Sequence, residues 1–146
     1  MEELKKEVLE FANNNPSSWL ATCEKDQPRV RGMLLWFADE TGFYYHTAKS
    51  KNLFGQIMEN PKAEAAFIRK ADQPDFEMLR VTGEVELVKD QELFERLKKE
   101  RAWLWGNISQ SEADTEVVIF RIVRGSAYIW NMSWNVRENE APRICF

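Results

Sequence analysis

The stretch Leu79-Arg80-Val81-Thr82-Gly83-Glu84-Val85-Glu86-Leu87 alternates apolar or small residues with polar ones without a break. Period two predicts a strand with Leu79, Val81, Val85 and Leu87 on a buried face and Arg80, Thr82, Glu84 and Glu86 on a wet one. A strand with one wet face belongs to an antiparallel sheet, because parallel sheets are covered on both sides.

The segments around it extend the same pattern. Ala63–Ile68 reads as a preceding strand, joined to it through the turn Gln73-Pro74-Asp75. Asp90 then starts a helix carrying Leu93, Phe94 and Leu97. Glu116–Ile122 begins a last long strand, bent near Gly125 and resumed at Ala127–Trp130, and the tail from Met132 on reads as irregular. At the other end, Leu4, Val8, Phe11 and Ala12 recur at helical spacing, and Asn13-Asn14-Asn15-Pro16 stops that helix.

Ser18–Glu24 reads as a strand, and Asp26-Gln27-Pro28 as a turn. Arg29–Ala38 follows as a long second strand whose half Met33–Phe37 is apolar on both sides. Such a strand needs cover from a helix or a second subunit. After the loop Asp39–Gly42 comes the third strand, Phe43–Thr47. Ser50 has the character of a helix N-cap, Leu53, Phe54, Ile57 and Met58 make a buried stripe, and Asn60-Pro61 ends the helix.

Strands joined by short loops pair antiparallel, and closing six of them into a full or partial barrel removes exposed edges. The expectation is a mainly β (α+β) single domain over residues 1–146, with helices plugging or flanking a barrel.

Composition limits the function. At 146 residues with 44% hydrophobic content the chain builds a core without staples. A net charge of −4 argues against a nucleic-acid partner, so any phosphate site must be local. Cys23 and Cys145 are too few and too far apart for a disulfide framework or a zinc site; no metal is expected, and the reading is a reduced, cytoplasmic protein. Met1–Phe11 carries charges among its apolar positions, unlike a signal peptide, and no apolar run approaches the ~20 residues that cross a bilayer. Six Trp, nine Phe and three Tyr supply ring surface for a core or for a pocket holding a flat ligand.

Two segments carry candidate chemistry: Arg31-Gly32-Met33-Leu34, and His46-Thr47-Ala48-Lys49-Ser50-Lys51-Asn52, which runs from a strand end into a helix start. A helix N-terminus presents unpaired N–H groups to an anion. Thr47 and Ser50 add hydroxyls, Lys51 a charge, and Arg31 a forked contact from a neighbouring strand, while Gly32 lets a ligand approach the backbone. Spacing alone favours the plainer reading, solvated cations and a helix cap.

A resemblance shifts that balance. The run Pro28-Arg29-Val30-Arg31-Gly32-Met33-Leu34, then Gly42-Phe43-Tyr44-Tyr45-His46-Thr47, Ser50-Lys51, Asn60-Pro61 and Leu79-Arg80-Val81-Thr82-Gly83-Glu84-Val85 resembles the FMN-binding split β-barrel proteins related to pyridoxamine 5'-phosphate oxidase, in particular their short, general-stress-protein-like members. The resemblance covers roughly Trp19 to Trp130. It implies a six-stranded antiparallel split β-barrel of Greek-key type with flanking helices, forming a homodimer with FMN at the subunit interface. By the same resemblance Arg31, Thr47, Ser50 and Lys51 hold the FMN phosphate and ribityl chain, Gly32, Met33 and Leu34 lie along the flavin ring, and His46 and Asn52 belong to the same site. Trp130 approaches the cofactor from the partner chain.

The implied activity is an FMN-dependent oxidoreductase acting on a small-molecule substrate or electron donor. The alternative is a protein that binds or senses flavin, haem or a deazaflavin without turnover. Trp36 stands where the oxidase commonly has Lys, and Met78 where it has Gln. The tail Trp134-Asn135-Val136-Arg137-Glu138 lacks its Arg-x-His substrate motif, so oxidation of pyridoxamine phosphate is not expected. His46, the single histidine, reads as a hydrogen-bonded strand residue rather than a haem ligand. Tyr128, Trp130 and Trp134 either pack over the barrel mouth or dimer seam or touch the ligand.

Overall fold

The computed structural model describes residues 1–146. Along the chain the elements are α1 (Glu2–Asn14), β1 (Ser17–Glu24), β2 (Gln27–Leu34), β3 (Phe37–Asp39), β4 (Gly42–Ala48), α2 (Asn52–Glu59), β5 (Lys62–Arg69) and β6 (Glu77–Val88). They continue with α3 (Gln91–Glu100), α4 (Trp103–Ser111), β7 (Val117–Trp130), two short 3₁₀ turns (Met132–Trp134 and Glu138–Glu140) and β8 (Arg143–Cys145).

The alternating stretch is the middle of β6, and its apolar face is the core face: Leu79 and Val81 are fully buried and Val85 nearly so. β6 lies between β5 and β7 in one eight-stranded antiparallel sheet of order β2-β1-β5-β6-β7-β4-β3, with β8 on β7. The inner face packs Leu20, Phe43, Tyr45, Phe67 and Phe120 against Val8 and Phe11 of α1, the residues that the helical spacing pointed inward. On the outer face Arg80 is ion-paired with Glu64, which also accepts from Thr82 at 2.9 Å.

Eight strands stand where six were expected, and the difference lies at two places. The long strand expected over Arg29–Ala38 breaks at Leu35-Trp36. There the Leu35 N–H donates to Pro16 O at 2.8 Å and the Trp36 N–H to Tyr44 O at 2.9 Å. The chain thus leaves the β1 side of the sheet and joins the β4 side, and no ladder connects β2 to β3. The barrel is therefore split rather than closed.

The strand buried on both faces is β4. Phe43 and Tyr45 enter the main core, while Tyr44 lies under α3 with Leu97 and Ile119. In the single chain β2 exposes Leu34. The free edge of β3 is paired by a side chain: Asn13 donates to Ala38 O at 2.9 Å and accepts from Ala38 N at 2.8 Å. This amide stands in for a strand partner.

β7 bends where Gly125 had signalled it. The β6–β7 register shifts between Thr82 and Glu84. A Cβ on Gly125 would lie 1.7 Å from Thr82 O, and one on Gly83 2.6 Å from Val123 O. Only glycine permits this backbone approach. The bend lets β7 pair with β4 through Val117–Ile122 and with β8 through Ser126–Tyr128. β8 orders part of the tail that had read as irregular. No helix is long and apolar enough to cross a membrane.

Candidate functional site

A cavity of about 380 Å³ opens where β2 and β4 end. Gly32, Met33 and Leu34 form one wall, and His46, Thr47 and the turn through Ser50 and Lys51 another. The third wall is α4, through Trp103, Leu104, Asn107 and Ile108, and the segment leading from it into β7. Seven of the residues singled out from the sequence therefore meet at one site: Gly32, Met33, Leu34, His46, Thr47, Ser50 and Lys51.

Thr47 is buried at the edge of this cavity. It is 3% exposed, and its Oγ1 has no hydrogen-bond partner. An unsatisfied buried hydroxyl costs about 1–3 kcal/mol, and this one belongs to a residue that borders the cavity. Ser50 and Lys51, both exposed, border the same cavity. Lys49, two residues away, is tied in a surface ion pair with Glu116 at 2.7 Å. Ser50 is not the N-cap of α2: Lys51 occupies that position, and the Ser50 N–H is bonded to Thr115 Oγ1 at 3.0 Å.

His46 faces the cavity beside Trp103, with ring centroids 6.3 Å apart. Its Nε2 lies 2.6 Å from Nη1 of Arg101, whose Nη2 donates to Leu35 O at 2.8 Å. A guanidinium only donates, so Nε2 accepts and the ring proton sits on Nδ1. Burial first, then the charges of Arg101 and Lys51, push the imidazole down to about 4. At neutral pH His46 is an uncharged donor. Its Nε2 is already engaged, which leaves little for an axial haem bond.

Three residues singled out from the sequence lie elsewhere. Arg31 pairs with Leu20 in the β1–β2 ladder and shares its inward face. Its guanidinium donates to Thr22 Oγ1 at 2.9 Å and Leu20 O at 3.3 Å, and it also bonds Gln56 Oε1. The structure does not bring Arg31 to the cavity. Asn52 is the exposed first residue of α2. Trp130 ends β7, packed with Phe76 at 5.3 Å and with Met78 and Trp134, outside the cavity of its own chain. Trp36 donates to Glu100 at 3.0 Å under α3 and likewise does not line the cavity.

Sequence reasoning missed Arg101, α4 and Thr115. The pattern Trp103-Leu104-x-x-Asn107-Ile108 has helical spacing and was the available signal. Arg101 and Thr115 carry no local signal, since their partners are 55 and 65 residues away.

The family model for pyridoxamine 5'-phosphate oxidase matches residues 4–130.

This chain belongs to the pyridoxamine 5'-phosphate oxidase family.

It is 41% identical over 63 residues to a pyridoxine/pyridoxamine 5'-phosphate oxidase of Aliarcobacter butzleri, a match spanning 42% of this chain and 30% of that relative. In structure it is similar to a NimC/NimA family protein from Clostridium acetobutylicum, with a TM-score of 0.73 and 26% identity over 98% of this chain and 96% of the other. The fold is also that of General Stress Protein 26 from Bacillus anthracis, with a TM-score of 0.68, 17% identity and 99% of each chain covered.

Proposed function

We propose that the cavity binds FMN and that the chain works as an FMN-dependent oxidoreductase in a homodimer. The observation that carries this reading is one cavity bordered by the exposed Ser50 and Lys51, by Thr47 and by the Gly32–Leu34 strand wall. Ser50 and Lys51 suit a phosphate, which accepts several hydrogen bonds and carries charge. Gly32, Met33 and Leu34 provide a strand wall for the flavin ring, and α4 supplies apolar surface that excludes water. Nδ1–H of His46 is a neutral donor available to the ligand. A bound flavin supplies the hydride or electron chemistry.

Arg31 would reach the phosphate only by exchanging its bonds to Thr22 and Gln56, and Trp130 only across a subunit interface. The homodimer is supported by an uncovered apolar face. Trp19 is 56% exposed, Val30 66% and Leu34 42%, and the β1–β2 register puts all three on one side of the sheet. A contiguous patch of this kind marks an interaction surface.

The test is the visible spectrum of the purified protein. Yellow protein that releases FMN on denaturation supports the proposal; colourless protein that ignores added FMN overturns it.

A second reading, a flavin holder without turnover, has one observation in its favour. His46 and Lys51 are the cavity's only titratable side chains, and His46 is held neutral. Mixing holoprotein with nicotinamide donors and a panel of acceptors separates the two. Flavin reduction followed by turnover supports the oxidoreductase, and inert holoprotein supports the holder.

A further inference from the structure

Thr115 lies in the short segment that leaves α4 for β7. Its Oγ1 accepts the Ser50 N–H at 3.0 Å, and the Lys49 N–H donates to Glu116 O at 2.9 Å. The turn entering α2 and the segment leaving α4 are thus joined side by side. A threonine hydroxyl that accepts one bond keeps its own proton to donate. Thr115 lines the same cavity as Thr47, Ser50 and Lys51. The neighbouring carboxylate, Glu116, is drawn off by Lys49 at 2.7 Å. Ser111, also on this wall, already donates to Ile108 O at 2.7 Å.

α4 itself is a surface helix. None of its residues is buried, its N-cap makes no side-chain bond, and it ends on Glu112 in the left-handed region at φ 58. Gly106 sits in its interior and lowers its own helical stability by about 1 kcal/mol relative to Ala. Leu104 and Trp105 pack against Phe94 and the small core of Tyr44, Leu97 and Ile119. The hydrogen-bonded attachments of α4 are at its two ends: Arg101 on Leu35 and His46, and Thr115 with Glu116 on Ser50 and Lys49.

We infer that Thr115 is a further anion-binding residue, and that through it a bound phosphate fastens α4 over the cavity. The inference rests on the flavin reading, with the FMN phosphate as the anion. Ser50 brings a hydroxyl from the β4–α2 side, Lys51 brings charge, and Thr115 brings from the α4 side a hydroxyl whose proton is not already donated within the chain. A phosphate bonded to both sides closes the gap between them. The ligand then determines whether α4 is seated, and α4 in turn shapes the wall that a second substrate meets.

The experiment compares FMN with riboflavin, the same flavin without phosphate, on wild type, Thr115→Val and Thr115→Ser. Affinity is read from flavin fluorescence, and the seating of α4 from hydrogen exchange over residues 101–116. In wild type, FMN raises protection across α4 and riboflavin does not. Thr115→Val weakens FMN about tenfold, the size of one lost charge-assisted hydrogen bond, leaves riboflavin unchanged and abolishes the FMN-dependent protection. Thr115→Ser restores both.

If Thr115→Val binds FMN as wild type does, or loses FMN and riboflavin equally, or if riboflavin protects α4 as well as FMN, the role of Thr115 is overturned while the flavin reading stands. Wild type that binds neither flavin overturns the flavin reading, and this inference with it.

Discussion

Arg101 donates to Nε2 of His46 at 2.6 Å across 55 residues of chain, and this contact fixes the tautomer of the histidine that faces the cavity. The same guanidinium is anchored on Leu35 O, in the linker that splits the barrel. One side chain therefore joins the start of α4, the break between β2 and β3, and the end of β4.

The first prediction follows from that contact. His46 titrates at about 4 in the folded chain and near 6.5 when unfolded. Between these values the unfolded chain binds the extra proton, so stability contributed by His46 is full above pH ~6.5 and falls as pH drops toward 4. Being the single histidine, its ring-proton NMR signals are identified without assignment. They should stay at neutral-imidazole shifts from pH 8 to 5.5. Arg101→Ala should move the midpoint upward. A native midpoint near 6.5 in wild type would contradict the geometry.

Thr47→Val should have two effects of opposite sign. It removes a buried hydroxyl that has no partner, so ligand-free protein gains on the order of 1 kcal/mol. The same change removes a donor to the proposed phosphate and weakens FMN. Thermal melts with and without FMN read both. Lys51→Ala, at an exposed position, should leave the ligand-free melt unchanged and weaken FMN by about tenfold or more.

Arg31→Ala should act first on stability. Its guanidinium ties β2 to Thr22 of β1 and Gln56 of α2, both of them buried. Losing that link should cost about 1–3 kcal/mol in denaturant unfolding. A variant as stable as wild type, with FMN affinity collapsed, would instead show that Arg31 swings to the ligand.

Trp19→Lys places a charge in the centre of the exposed β1–β2 face. With Trp19 more than half exposed, the monomer fold should be kept and the proposed dimer lost. Light scattering at micromolar concentration reads the change. Wild type that is already monomeric removes the basis for it.

Gly125→Ala should prevent folding to the native register. The added methyl would have to occupy space 1.7 Å from Thr82 O, and backbone on both sides blocks relief. A loss beyond ~4 kcal/mol is expected, at the severe end for one substitution. A soluble, native-like variant by circular dichroism would refute the bulge geometry.

What was legible in the sequence was whatever depends on neighbours along the chain. Period two in Leu79–Leu87 specified a strand with one buried face, because successive side chains point to opposite sides of a sheet. The stripe Leu4, Val8, Phe11, Ala12 specified a helix lying on the core, and Gly125 marked the bend in β7. Family-like order in the segments Gly32–Leu34 and His46–Lys51 was enough to locate two of the three walls of the cavity.

Tertiary structure decided everything that depends on a partner arriving from elsewhere. Leu35 and Trp36 read as strand, yet they bond to Pro16 and Tyr44 on opposite sides of the split, which no local period encodes. Arg31 alternates like a ligand-facing cation, yet Thr22 and Gln56 hold it inside. β8 and the edge of β3 exist because Ser126–Tyr128 and Asn13 offer them hydrogen bonds. The orphaned hydroxyl of Thr47, the neutrality of His46 and the wall formed by α4 are set by what does or does not come within about 3 Å of an atom. Alternation fixes the side to which a residue points, and only the folded chain fixes what it meets there.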